Sequence, residues 1–432
     1  MLRGSSYPSL RWSLAVAAVM GATGMSVAWL ATSVDGAVTP VIDPNAGANW
    51  PRWRGPQQNG HSDDAKLPVK FTVDDVAWQT KLPGQGQSSP VIWGDRIFLT
   101  GALNKGAERL VFCVDRLDGK ILWQQSAWKG EPEPVHIMNG WASATCATDG
   151  EIVVAFFGRG GMHAYTVDGK HLWSRDLGRF ESPWGVSACP IIIDDMVVQN
   201  CDADVDAYIT ALDKRTGAER WRTKRRDHRG WSTPILVQVD DHRELVVNGH
   251  AGTQAYDPAT GADLWYCKSF NGRGEPTVTP AGDLLCVVNG LSGDFYSVRP
   301  GGSGDVTSTH MAWHTPRKGG RDCPSPIVVG NYIIVVGMGG ITTCYDAKDG
   351  HVYWTERLTG KFSGSPIAAN GLVYVVNEDG RTIVIEPGPA LKIVAENDLP
   401  MSDEEIYRAS PTPCRGQLFI RSTSVLYCVG KK

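Results

Sequence analysis

The stretch that decides the fold is Ala211-Leu-Asp213-Lys-Arg-Thr216-Gly217-Ala-Glu-Arg-Trp221. It recurs as Ala255-Tyr-Asp257-Pro-Ala-Thr260-Gly261-Ala-Asp-Leu-Trp265, as Cys113-Val-Asp115-Arg-Leu-Asp118-Gly119-Lys-Ile-Leu-Trp123 and as Cys344-Tyr-Asp346-Ala-Lys-Asp349-Gly350-His-Val-Tyr-Trp354. A copy one residue shorter runs from Ala164 to Trp173, a degenerate one from Ser297 to Trp313, and weak ones begin at Val384 and Cys428. Self-similarity at such a spacing marks a repeat architecture and is read before any single residue. Asp and Gly suit a hairpin turn, Asp by bonding nearby backbone and Gly by accepting positive φ. The Trp then falls on the next strand, where an indole buries roughly 150–250 Å² between neighbouring sheets. The small residue before the Asp leaves room for it.

A second repeat gives the count. Between the Trp blocks comes a Ser/Thr-Pro-like lead-in to an apolar strand, a Gly/Asp/Asn turn and another apolar strand, as at Tyr332–Val336 and Leu372–Val376. The lead-ins read as Ser89-Pro90, Ser143-Ala144, Cys189-Pro190, Thr233-Pro234, Glu275-Pro276, Ser325-Pro326, Ser365-Pro366 and Ser410-Pro411. Eight lead-ins predict an all-β, eight-bladed β-propeller of four-stranded antiparallel blades. Trp78 lies on a strand with no preceding Asp-Gly turn, and the chain finishes at Cys428 with no following Trp. Pairing the N-terminal strand into the C-terminal blade closes the ring and removes exposed sheet edges. The docking residues are then Trp78, Trp123, Trp173, Trp221, Trp265, Trp313 and Trp354.

Composition agrees. The 432 residues carry 49 Gly, 26 Pro and 16 Trp, which suits many short strands and tight turns, and a net charge of -4 gives no reason to expect nucleic acid. The expected division is 1–36 as a signal peptide or N-terminal membrane anchor, 37–70 as a leader and 71–432 as the propeller. Arg3 and Arg11 precede an uncharged, mostly apolar run over 12–30, which is long for a signal core and just reaches spanning length. Both readings export the rest, to the periplasm or cell envelope. The first cysteine is Cys113, so no lipid-accepting Cys sits beside the leader. Cys113, Cys344 and Cys428 occupy the small position of the docking block and read as buried residues. Among Cys146, Cys201, Cys267, Cys323 and Cys414 a disulfide remains open, because export permits one.

The Asp-x-x-Thr-Gly-x-x-x-Trp block resembles the tryptophan-docking motif of the pyrroloquinoline quinone (PQQ)-like repeat propellers, and residues 211–221 and 255–265 match it at every fixed position. The leader Asn49-Trp50-Pro51-Arg52-Trp53-Arg54-Gly55-Pro56 is similar to the start of exported members of that group. The group includes PQQ- and calcium-dependent alcohol dehydrogenases as well as the non-enzymatic BamB scaffold, and a shared repeat does not choose between them. The resemblance implies, for an enzyme, a disulfide between adjacent cysteines over the quinone, and this sequence has no Cys-Cys pair. The expected function is therefore a non-catalytic binding or scaffold protein, monomeric and without a cofactor, with an envelope protein, peptide or saccharide as partner. The alternative is a PQQ- and calcium-dependent alcohol or sugar oxidoreductase.

Propeller geometry places binding residues on the loops around one mouth of the central channel. Counting back from each lead-in, and including neighbouring aromatic and charged positions, gives Trp141, Trp184, Trp231, Arg273, Glu275, Arg321, Asp322 and Arg408. Packing is the competing reading for the three Trp residues. Asp202, Asp204 and Asp206 form the one metal-like stretch, but the Gly and distal Glu of a calcium loop are missing, so an acidic loop is preferred. No catalytic residue can be assigned.

Overall fold

Each Asp-Gly block folds as the hairpin between the third and fourth strands of a sheet. In the computed structural model, which describes residues 38–41, 46–180, 182–268, 270, 273–290, 294–317 and 321–431, eight such sheets form the blades. The expected signal or anchor over 1–36 lies outside those residues. The third blade is representative: Ile191–Ile193, Met196–Cys201, Tyr208–Asp213 and Glu219–Lys224 pair antiparallel in that order. Asp213 Oδ1 accepts from the Arg215 and Thr216 amides and the Thr216 hydroxyl at 2.9–3.1 Å. Ala211 stands opposite Trp221, and the register shifts by one residue just after it. The same shift follows the small residue in the other intact blocks, so the bulge belongs to the repeat.

The turn glycine does more than permit positive φ. Gly217 (φ +68°) is roofed by the Trp173 indole of the preceding blade, and a Cβ there would fall 2.6 Å from that ring. Where the next blade's block is intact, the indole N–H donates to the carbonyl after its turn aspartate: Trp78 to Arg116, Trp173 to Lys214, Trp221 to Pro258 and Trp313 to Ala347, at 2.9–3.4 Å. The Trp of one blade and the turn of the next therefore act as one device. Where the turn degenerates the Trp changes with it. The fifth blade lacks the Asp-x-x-Thr-Gly turn, and Trp265 of the fourth bonds instead to Glu244 Oε2 of its own blade at 2.8 Å. The seventh blade carries Ala395 at the Trp position, opposite Val384. In the eighth blade Val76–Lys81 completes Thr412–Cys414, Gln417–Arg421 and Val425–Val429, with Trp78 opposite Cys428.

At the channel, the lead-in residues close a second ring. The amides of Ser89, Thr145, Cys189 and Thr233 each donate to the side chain of the next blade's equivalent, at 2.8 Å, 3.2 Å, 3.0 Å and 3.0 Å. Thr277, Ser325, Ser365 and Ser410 continue the series at 2.9–3.0 Å, the last donating back to Ser89 Oγ. Buried amides need partners, and here a short hydroxyl or thiol supplies one without taking space from the channel. The ring corrects the expected lead-ins of two blades. The second uses Thr145, not Ser143, and the fifth uses Thr277, not Glu275, because the Pro of the pattern is replaced there by Cys146 and Val278.

The leader closes one end of the channel. Thr39–Pro40 adds a strand to the fourth blade and His61–Ser62 one to the seventh. Between them, Trp50 pairs with Ile92 and Trp53 Nε1 donates to Ser410 Oγ at 3.2 Å. Buried Arg54 donates to Thr279 Oγ1 and the Pro326 carbonyl at 3.2 Å and 2.6 Å, and burial pushes its guanidinium down to about 9. All ten cysteines are free thiols, so the disulfide left open above does not form in this structure. Seven lie on separate strands while Cys146, Cys189 and Cys323 precede the innermost strands of their blades, and burial raises the thiols of Cys146 and Cys267 to about 12.

Candidate functional site

The channel is a one-ended cup. Trp53 of the leader forms its floor and the lead-in ring its lower wall, and above them lies a cavity of about 180 Å³. Its upper wall is the residue two before each ring position: Gln87, Ser143, Ser187, Trp231, Glu275, Cys323, Ser363 and Arg408, one from every blade. The register correction in the second and fifth blades is what brings Ser143 and Glu275 into this circle.

Of the expected residues, Trp184, Trp231, Glu275, Arg321 and Arg408 line the cavity, while Trp141, Arg273 and Asp322 stand behind it. Trp141 lies over Gly106 of the first blade, donates to the Glu133 carbonyl at 2.8 Å and accepts from buried Arg109, so it braces a loop. Asp322 is buried in an ion pair with Arg317 at 2.5 Å. Arg273 stacks over Trp184 at 5.3 Å and stands 4.0 Å from Glu275. The acidic stretch is consumed by ion pairs: Asp202 with Arg225 at 2.6 Å and Asp204 with Arg229 at 2.9 Å, while Asp206 is exposed. Among the described residues no three His, Cys, Asp or Glu side chains converge on a point where an ion could sit.

A loop over 131–140 reaches across the mouth. It is anchored at its base by Arg109 and Glu133 at 2.7 Å. His136 stacks on Trp184 with centroids 4.1 Å apart, and Asn139 donates to the Trp184 carbonyl at 2.8 Å. Arg408, at the start of the eighth blade beside the first, donates to the Ile137 carbonyl at 3.0 Å, and from the far side of the ring Arg321 points at the Met138 sulfur at 3.7 Å. Ile137 itself is 84% exposed.

The charges around the cup are unevenly matched. Arg408 is paired with Glu378 at 3.1 Å, and Glu378 also accepts from Ser363. Burial pushes the Glu275 carboxyl up to about 7 against the pull of Arg273 and Arg321, and its Oε2 has no hydrogen-bond partner. Arg321 lies over the Trp184 ring at 5.5 Å and points at the Met138 thioether, with no carboxylate within ion-pair distance among the described residues. Sequence reasoning missed Trp53, His136, Met138 and Asn139. Trp53 had a signal, since a Trp in an otherwise polar leader needs somewhere to be buried; the loop residues had none, because nothing in their sequence repeats.

A family model described as outer membrane protein assembly factor BamB matches residues 72–186, 205–299 and 293–388. The chain is 21% identical over 354 residues to an outer membrane protein assembly factor BamB of Burkholderia pseudomallei, covering 70% of this chain and 85% of that protein. It is 25% identical over 347 residues to a quinohemoprotein alcohol dehydrogenase of Pseudomonas putida, 69% of this chain but 45% of the enzyme. Among solved structures, BamB from Moraxella catarrhalis superposes with a TM-score of 0.58 at 17% identity, over 82% of this chain and 98% of that one. A quinohemoprotein alcohol dehydrogenase from Comamonas testosteroni gives 0.61 at 12% identity, over 90% and 81%. At these identities the structural likeness speaks for the fold alone.

Proposed function

Because the chain belongs to the PQQ-like repeat family whose model is described as outer membrane protein assembly factor BamB, we propose that it is a non-catalytic binding or scaffold propeller of the cell envelope, holding its ligand at the channel mouth. The observation that carries this reading is the one-ended cup: the repeats build its wall, the leader seals its floor, and the unrepeated loops bring Trp184, Trp231, Glu275, Arg321 and Arg408 to its lining. A rigid scaffold that presents variable loops around a concavity is the usual arrangement of a binding site. The partner class is an envelope protein, a peptide or a saccharide. Export rests on the expected signal peptide or anchor over 1–36; among the described residues no helix is long and apolar enough to cross a membrane.

The similarity to a quinohemoprotein alcohol dehydrogenase favours a second reading, a PQQ- and calcium-dependent oxidoreductase. The donor set fits it poorly. Calcium takes six to eight oxygens, usually several from carboxylates. The cavity wall offers Glu275, held near half-protonation at neutral pH and facing Arg321. Mixing the purified full chain with PQQ and Ca²⁺ separates the readings. No shift in quinone absorbance and no dye-linked alcohol oxidation is the expected result; a shift together with turnover would overturn the scaffold reading.

A further inference from the structure

We propose that the cup takes a carboxylate group carried on a short apolar body, with the carboxylate on Arg321 and Arg408 and the body against Trp184 and Trp231. This rests on the mouth being the binding face, and it names the chemistry of what binds there.

Three observations lead to it. The first is charge. Arg273, Arg321 and Arg408 surround the upper cup, and Glu275 and Glu378 are the acids that face them, Asp322 being taken by Arg317. One cation is therefore left over even with both acids ionised. It is Arg321, which has no carboxylate within ion-pair distance among the described residues. A guanidinium carries five donors in a fork shaped for a carboxylate, and a thioether is a weak acceptor for it.

The second is the occupant already present. Arg408 donates to the Ile137 carbonyl and Arg321 points at Met138, both on the loop that crosses the mouth. A backbone carbonyl oxygen and a sulfur thus stand where the oxygens of an incoming carboxylate would be bound. Because neither is charged, a carboxylate exchanges with them favourably, and its arrival frees residues 131–140 to move aside.

The third is size and surface. A cavity of about 180 Å³ is comparable with the apolar cavity of about 150 Å³ that accommodates benzene. Trp53 below and Trp184 and Trp231 at the sides give an apolar body flat surfaces to lie on. Arg408 remains bound to Glu378 while it serves a ligand, which fixes its orientation.

The same carboxylate chemistry is presented by a free small acid or by the end of a partner's chain. Calorimetric titration of the full-length protein compares benzoate with benzamide, and acetyl-Ala-Ala-Leu having a free C-terminus with its amide. The acid in at least one pair is expected to bind about tenfold or more tightly than its amide, a difference that Arg321→Gln abolishes without lowering the midpoint of thermal unfolding. Binding of benzoate alone assigns a free acid; binding of the peptide acid alone assigns a partner's terminus. Equal binding of acid and amide in the wild-type protein overturns the carboxylate and leaves the mouth as a binding face. Absence of binding by all four probes at millimolar concentration also overturns it. Uptake of PQQ with turnover defeats the scaffold reading beneath it, and is told apart because it needs Ca²⁺ and an alcohol.

Discussion

The rim and the mouth of this propeller are built on opposite plans. At the rim, one turn and one Trp are repeated from blade to blade, and the indoles of Trp78, Trp123, Trp173, Trp221 and Trp313 are each seated on a neighbour's glycine. At the mouth, eight equivalent positions carry Gln87, Ser143, Ser187, Trp231, Glu275, Cys323, Ser363 and Arg408, where Ser alone recurs and the large or charged side chains each occur once. Repetition has a physical purpose only where every blade does the same job, which is holding the next blade. Where the blades differ, selection acts on something that is not the fold. The difference separates residues that stabilise from residues that recognise, and substitutions at the two places should behave differently.

The largest effect is expected at the rim. Trp221→Ala empties the seat over Gly261 and removes a buried indole hydrogen bond, costing about 3–5 kcal/mol in urea unfolding. A loss under about 1 kcal/mol would mean that the girdle does not hold the blades. At the mouth, the buried Glu275 should cost stability where it ionises. Its carboxyl faces Arg273, Arg321, Asp322 and Cys323, and it titrates at about 7 when folded against 4.5 when unfolded. The folded state therefore holds an extra proton between those values, so stability falls as pH rises from about 4.5 to 7 and is level above. Glu275→Gln is expected to be more stable than the wild type at pH 8, by up to about 3 kcal/mol, with the gain vanishing near pH 4. An unchanged difference across that range, followed by thermal unfolding, would place the titration elsewhere.

The channel ring lies between the two regimes. Ser410→Ala leaves the Ser365 amide and the Trp53 indole without their acceptor, and about 2 kcal/mol should be lost. If Trp53 is the floor, the same variant also alters the fluorescence of that indole. The smallest change is expected at the crossing loop, where Ile137→Asp alters an exposed side chain and should leave stability within about 0.5 kcal/mol. Differential scanning calorimetry of that variant sharpens the comparison, since any larger loss would make the loop a structural element.

This contrast also explains what was legible in the sequence. Asp213, Gly217 and Trp221 announce their roles because the same chemistry recurs in other blades, and the closing strand at Trp78 follows from what each chain end lacks. The lead-in was readable wherever Pro follows the hydroxyl. It was misplaced by two residues in the second and fifth blades, where Ser143 and Pro276 mimic the pattern while Thr145 and Thr277 make the ring bonds. Counting back from those lead-ins reaches Gln87, Ser187, Trp231, Cys323, Ser363 and Arg408; the error put Trp141 and Arg273 where Ser143 and Glu275 stand, so Ser143 was missed and Glu275 was reached only as a neighbouring charge. Trp53 and the crossing loop were out of reach, because their positions depend on contacts with residues more than 180 places away along the chain, such as Ser410 and Arg321.

Binding at the mouth, with the rim left to architecture, is tested most directly by a photo-crosslinking amino acid placed at position 137 or at position 117 of the full-length protein in its native cells. Both sites are exposed and apolar, Ile137 at 84% on the mouth loop and Leu117 at 53% in a rim turn. A discrete adduct from position 137 and none from position 117 is the expected result. Adducts from position 117 alone, or from neither, would contradict the assignment of recognition to the mouth.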